Sequence, residues 1–179
     1  MPRPNFKSAK EQIEQFVRVN HAGEFGARYI YEGQLKYTKD AKAYKLIHLM
    51  MRQELVHLNY FENQIRKRNI RPTALLPLWR IGGYLLGCTS ALIGIKTAML
   101  TTEAVEEVIE KHYQKQIDYL TNLESDKELL SNIKQFQQDE TEHKHIATEH
   151  GGKSSSFANS WTKLVKKICV CAINLSKKI

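Results

Sequence analysis

Glycine and proline are scarce in this 179-residue sequence, at 9 and 4 residues. That excludes a collagen-like or low-complexity chain and fits poorly with an all-β protein, whose many turns draw on both residues. Cysteine is nearly absent. Cys88, Cys169 and Cys171 are odd in number and form no Cys-x-x-Cys, so neither a disulfide framework nor a structural zinc site is expected, and a reducing compartment is. Long apolar runs are missing too. The longest uncharged stretch, Ile81 to Ile95, is shorter than the ~17–25 residues a spanning helix needs. The segment MPRPNFKSAKEQ has no apolar h-region, so no secretory signal is expected. Acidic residues are outnumbered 19 to 27, and the resulting net charge of +8 favours acidic surfaces.

What is present is helical periodicity, nearly everywhere. With 42% hydrophobic residues the chain can build a core without staples, and one domain over residues 1–179 is expected. A first helix is predicted from about Ser8 to Tyr37, opened by a Ser8/Glu11 capping box, and a second from Asp40 to Arg68. Pro72 and Pro77 then interrupt the pattern, and an apolar, glycine-punctuated crossover segment runs from Leu75 to Ile95. Helices are predicted over Lys96–Leu123 and, after a turn at Glu124-Ser125-Asp126 with Ser125 or Asp126 as cap, on to about His150. Gly151-Gly152 marks the stop there. A KSSS linker precedes an extra C-terminal amphipathic helix over about 157–176. The fold class expected is all-α, a four-helix bundle with its core over about 8–150.

Stepping each helix at ~100° per residue puts a glutamate inside each of four apolar stripes. Glu24 lies among Ile13, Val17, Tyr31 and Leu35. Glu54 lies among Ile47, Met50, Leu58, Phe61 and Ile65, with His57 one turn on. Glu106 lies among Met99, Ile109, Tyr113, Ile117 and Leu120, and Glu140 among Leu129, Ile133, Phe136 and Ala147, with His143 one turn on. Glu103 and Glu110 flank Glu106 on nearly the same side, so the wheel alone leaves that choice open. A buried unpaired carboxylate costs several kcal/mol or takes up a proton. Four of them need a shared positive partner. No stripe has a basic residue at its centre; Arg28, Arg68 and Lys144 come nearest, each ~40° off.

A pair of divalent cations would balance four carboxylates. Oxygen ligands with one imidazole per ion and no thiolate favour iron or manganese over structural zinc. A Glu from each of two helices and a Glu-x-x-His from each of the other two is a known di-metal bundle pattern. Chance supplies roughly 0.6 Glu-x-x-His matches in such a composition, and the chain has Glu54/His57, Glu140/His143 and Glu142/His145. Glu142 falls ~200° round the helix from Glu140, on the face opposite Leu129, Ile133 and Phe136, so Glu142/His145 is read as a decoy. The other histidines, among them His21 and His112, are read as surface residues or neighbours of the ligands. Asp139 and Tyr113 are candidates to orient the two imidazoles.

The stretches RVNHAGEFGARYIYEGQ (18–34), QELVHLNYFE (53–62), RPTALLPLW (71–79), AVEEVIEKHYQKQI (104–117) and DETEHKHI (139–146) closely resemble the demethoxyubiquinone hydroxylase family of ubiquinone biosynthesis. The likeness runs in order over about residues 12–178. It implies a ferritin-like bundle whose ligands fall on Glu24, Glu54, His57, Glu106, Glu140 and His143, the set the wheels select. It favours Glu106 within the AVEE motif. It further implies two iron ions per chain, with manganese the other candidate. Glu54 and Glu140 would bridge them, Glu24 and His57 would complete one, and Glu106 and His143 the other. The implied reaction is O2-dependent hydroxylation of a polyprenyl demethoxy-benzoquinol, late in ubiquinone synthesis, by a non-haem di-iron monooxygenase.

Such a substrate lives in a bilayer. The Leu75–Ile95 segment, with Trp79 and Tyr84, and the C-terminal helix, with Trp161, Leu164, Val165, Ile168, Ala172 and Leu175 on one face and Lys163, Lys166 and Lys167 off it, suit a membrane surface. Packing onto the bundle or a second subunit is the plainer alternative for both. The expected location is peripheral, on the cytoplasmic face of a bacterial inner membrane or the matrix face of a mitochondrial one. The sequence is compatible with a quinone-delivering accessory protein and with a homo-oligomer. A ferritin-like iron-oxidising or storage protein shares the ligands without an organic substrate. Nucleic acid is not an expected partner: the positive charges are dispersed, and no recognition motif accompanies the one tight cluster, Arg66, Lys67 and Arg68.

Overall fold

A computed structural model describes residues 8–124, 126–151 and 155–178. Six helices follow one another: α1 (Ala9–Tyr37), α2 (Ala41–Lys67), α3 (Leu76–Ile93), α4 (Ile95–Leu123), α5 (Lys127–His150) and α6 (Ser156–Ser176). No strand occurs among the described residues. The caps are those the sequence predicts. Ser8 accepts from the Glu11 N–H while the Glu11 carboxylate accepts from Ser8, and Asp40 accepts from Ala43. Asp126 caps α5 through the Leu129 N–H; the alternative, Ser125, lies outside the described residues. α5 closes on Gly151 in an extended conformation, while Gly152 and the first half of the KSSS linker lie outside them. Ser155 caps α6.

α1, α2, α4 and α5 make the bundle. The three-residue turn at Thr38–Asp40 folds α2 back along α1, and α5 likewise runs back along α4. Asn20 bonds Gln116, and Gln34 bonds Ala98 and Thr102, so α1 and α4 run antiparallel. One apolar cluster, including Val17, Phe61, Leu120, Ile133 and Phe136, fills one end. A second, Tyr31, Ile47, Met50, Met99 and Ala147, fills the other. Between them lies a polar layer.

The apolar crossover segment is one helix, α3, in spite of four glycines. It returns the chain alongside α1, and the glycines are what let it lie there. A Cβ at Gly87 would collide with the Ile30 carbonyl, and one at Gly33 with the Tyr84 carbonyl. Gly94, at φ 145°, breaks α3 from α4, a conformation that side chains other than glycine's rarely adopt. α6 lies along α4 and closes on α3 through Trp79 Nε1, which donates to Ser176 Oγ at 3.0 Å. Both segments expected at a membrane surface therefore pack on the bundle by one face. Their outer faces still expose Ile81, Leu85 and Leu92 on α3 and Phe157, Leu164 and Leu175 on α6. The single apolar face read for α6 is divided: Val165 is buried while Leu164 is exposed. No described helix is long and apolar enough to cross a membrane.

Candidate metal centre

The polar layer holds all six residues singled out from the sequence. α1 contributes Glu24, α2 Glu54 and His57, α4 Glu106, and α5 Glu140 and His143. None is more than 3% exposed. His57 Nδ1 lies 3.2 Å from Glu140 and 3.7 Å from Glu24; His143 Nδ1 lies 3.2 Å from both Glu54 and Glu140. Two groups result, Glu24/Glu54/His57/Glu140 and Glu54/Glu106/Glu140/His143. Within each, one ligand atom per residue lies within 4.8 Å of the others. Glu54 and Glu140 belong to both. The decoy pair points away: Glu142 and His145 are exposed, and His145 faces Glu149.

The charges call for a cation that the chain does not supply. Among the described residues no lysine or arginine is buried. The three that the wheels put nearest are engaged elsewhere: Arg28 with Glu32, Arg68 with Asp126, Lys144 with Glu110. Burial and the neighbouring Glu140 carboxylate push Glu54 and Glu106 well above the usual carboxylate range. Burial opposes a charge on His57, yet the Glu140 and Glu24 carboxylates beside it carry its pKa up to about 12. Burial likewise disfavours the Glu140 anion, but the two imidazoles hold it at about 2. The imidazoles are thus made to stand in as cations. His57 Nδ1 and Glu54 Oε1 are buried with no hydrogen-bond partner, the state of ligand atoms whose partner is an ion. The donor set fits a pair of hard or borderline divalent metals.

A ladder of polar pairs frames these ligands. Tyr31 of α1 donates to Glu106 at 2.9 Å, and Tyr113 of α4 donates to Glu24. Further out, Gln34 reaches Thr102 and Gln116 exchanges two bonds with Asn20. Tyr113, proposed from sequence as a partner for an imidazole, serves a carboxylate instead; Asp139 does face an imidazole, 3.0 Å from His57 Nε2. The signal for the ladder is an offset. Residues 20, 24, 31 and 34 map onto 102, 106, 113 and 116 at a constant 82, and the sequence reading used only Glu24/Glu106.

An apolar cavity of about 350 Å3 reaches the cluster from outside. Its lining includes all four glutamates, Leu78, Gly82 and Leu86 of α3, and Val165, Cys169 and Ala172 of α6. It therefore joins the polar layer to the two helices with exposed apolar faces.

Comparison with known proteins agrees with this arrangement. The chain is 42% identical over 174 residues, 97% of its length and 80% of the relative's, to a mitochondrial "NADPH-dependent 3-demethoxyubiquinone 3-hydroxylase" of Dictyostelium discoideum. It is 37% identical over 178 residues (98% and 82%) to a "3-demethoxyubiquinol 3-hydroxylase" of Rhodospirillum rubrum. A mitochondrial "5-demethoxyubiquinone hydroxylase" of Saccharomyces cerevisiae is 37% identical across 93% of the chain and 78% of the relative. The family described as "Ubiquinone biosynthesis protein COQ7" matches residues 11–176, and the chain belongs to that family.

Proposed function

We propose that this chain uses O2 to hydroxylate a polyprenylated demethoxy-benzoquinol at a pair of iron ions, acting at a membrane surface. The observation that carries the reading is the apolar cavity between α3 and α6, which ends on the four buried glutamates. A protein that only oxidised or stored iron would have no use for a greasy path to its ligands.

In this reading Glu54 and Glu140, common to both groups, would be shared by the two ions, with Glu24 and His57 completing one position and Glu106 and His143 the other. When bound, the metal pair supplies the O2 activation that no side chain of this chain can supply. The protein supplies the setting. Tyr31 and Tyr113 fix the two outer carboxylates by hydrogen bonds. The imidazoles turn Nδ1 inward because each Nε2 is held, by Asp139 for His57 and by Gln53 for His143. Leu78, Leu86, Val105, Ile109 and Val165 keep water from the quinol ring. The isoprenoid tail leaves between α3 and α6, where exposed Leu85, Ile81 and Leu164 would enter lipid and Lys163 and Lys167 would meet headgroups. The six helices act as one domain.

The test is to give iron-loaded protein 18O2, a reductant and a short-chain demethoxyquinol. One labelled oxygen on the ring supports the proposal. Ferric iron accumulating over an untouched quinol would replace it with the storage reading.

A further inference from the structure

A second offset runs through the site, and it is imperfect. At a spacing of 86 residues, Gln53-Glu54-x-x-His57 maps onto Asp139-Glu140-x-x-His143. Each imidazole reaches across to the residue that precedes the other helix's glutamate. His143 Nε2 lies 2.9 Å from the Gln53 amide oxygen, and His57 Nε2 lies 3.0 Å from an Asp139 carboxylate oxygen. With Nε2–H donating in both cases, Nδ1 is the nitrogen left to give its lone pair to a metal. The acceptors differ in kind, one a neutral amide and one a carboxylate.

The support behind them differs as well. The other oxygen of Asp139 accepts from Gln135 Nε2 at 3.1 Å, one turn earlier on α5. The residue matching Gln135 on α2 is Leu49, 53% exposed and with no side-chain donor. The His57 ring also packs on Phe136 of α5, with centroids 4.1 Å apart. One imidazole is therefore oriented by a braced carboxylate, the other by an amide without that brace. An N–H held by a carboxylate leaves the ligating nitrogen more basic, and such partners govern metal affinity.

We propose that Asp139 and Gln53 are positioning residues that make the two metal positions unequal, the position completed by His57 taking up a divalent cation first. This rests on the two-metal reading above. The test titrates the metal-free full chain with Mn(II), following free Mn(II) by electron paramagnetic resonance and heat by calorimetry. Two steps are expected, the first about 10- to 100-fold tighter. Asp139→Asn, a change of charge at constant size, weakens the first step until the two merge. Gln53→Glu tightens the second, a gain that misfolding cannot mimic. His143→Ala retains the tight step, and His57→Ala the weak one. Two equal sites in the parent, or Asp139→Asn weakening both steps alike, overturn the proposal and leave the two-metal reading standing. Failure to bind any Mn(II) overturns both.

Discussion

Removing metal gives this protein an unusual dependence of stability on pH. In the metal-free chain the cluster retains protons that the unfolded chain releases near neutrality. Burial and Glu140 raise Glu54 and Glu106; His143 is raised by Glu140 against burial, and His57 reaches about 12 for the same kind of reason. A group whose folded pKa is raised stabilises fully below its unfolded value and loses that contribution as pH climbs toward the folded one. For the glutamates the loss begins near their ordinary 4.5, and for the imidazoles near 6.5. Opposing groups act lower. Glu140 is held at about 2, burial lowers His112 to about 4, and burial lowers His21, so these act mainly below 6.5 and fade above it. From pH 6.5 to 8.5 the raised groups dominate. One proton retained on folding costs about 1.4 kcal/mol per pH unit, a fall in Tm of about 3–6 °C for a chain of this length. Scanning calorimetry in chelator at pH 6.5, 7.5 and 8.5 measures it. With Mn(II) at 100 times its Kd, each site adds about 2.7 kcal/mol, and the decline disappears because the metal displaces the protons. A chelated Tm that stays level or rises with pH would refute the reasoning.

Three further outcomes are expected. Glu54→Ala and Glu140→Ala abolish loading of a metal pair, while Glu142→Ala, on the exposed side of α5, loads as the parent does; metal content by mass spectrometry separates them. Gly87→Ala, which sets a Cβ against the Ile30 carbonyl, destabilises by about 1–3 kcal/mol in urea, whereas Gly82→Ala, at an exposed mid-helix position with open space around it, stabilises by about 0.5–1 kcal/mol. Ile81→Glu combined with Leu85→Glu, both on the outer face of α3, reduces sedimentation with anionic vesicles without changing metal content; unchanged sedimentation removes α3 from the membrane surface.

Much of this was legible in the residues because each signal was local. Ser8/Glu11 and Asp40 cap helices by contacts three residues apart, and a glutamate inside an apolar stripe is visible on a wheel. Choosing Glu140 over Glu142 needed only that wheel. The nature of the crossover segment was not legible in the same way. Its glycines read as interruptions, and only the close backbone approach of Gly33 and Gly87 explains why a helix there needs them. Tyr31 reads in the sequence as a core residue and Tyr113 as a neighbour of an imidazole, not of a carboxylate. Their hydroxyls acquire a role only when α1 and α4 face one another, a long-range fact that no single helix carries. The cavity was equally hidden, since it exists only where α6 returns across α1, α3 and α4.

The most direct measurement is anomalous diffraction at the iron edge from crystals of the ferrous-loaded protein. The account predicts two peaks about 3.5–4 Å apart, flanked by Glu54 and Glu140, each with one imidazole Nδ1 as a ligand. A single peak, or iron held by His145 and the surface of α5, would contradict it.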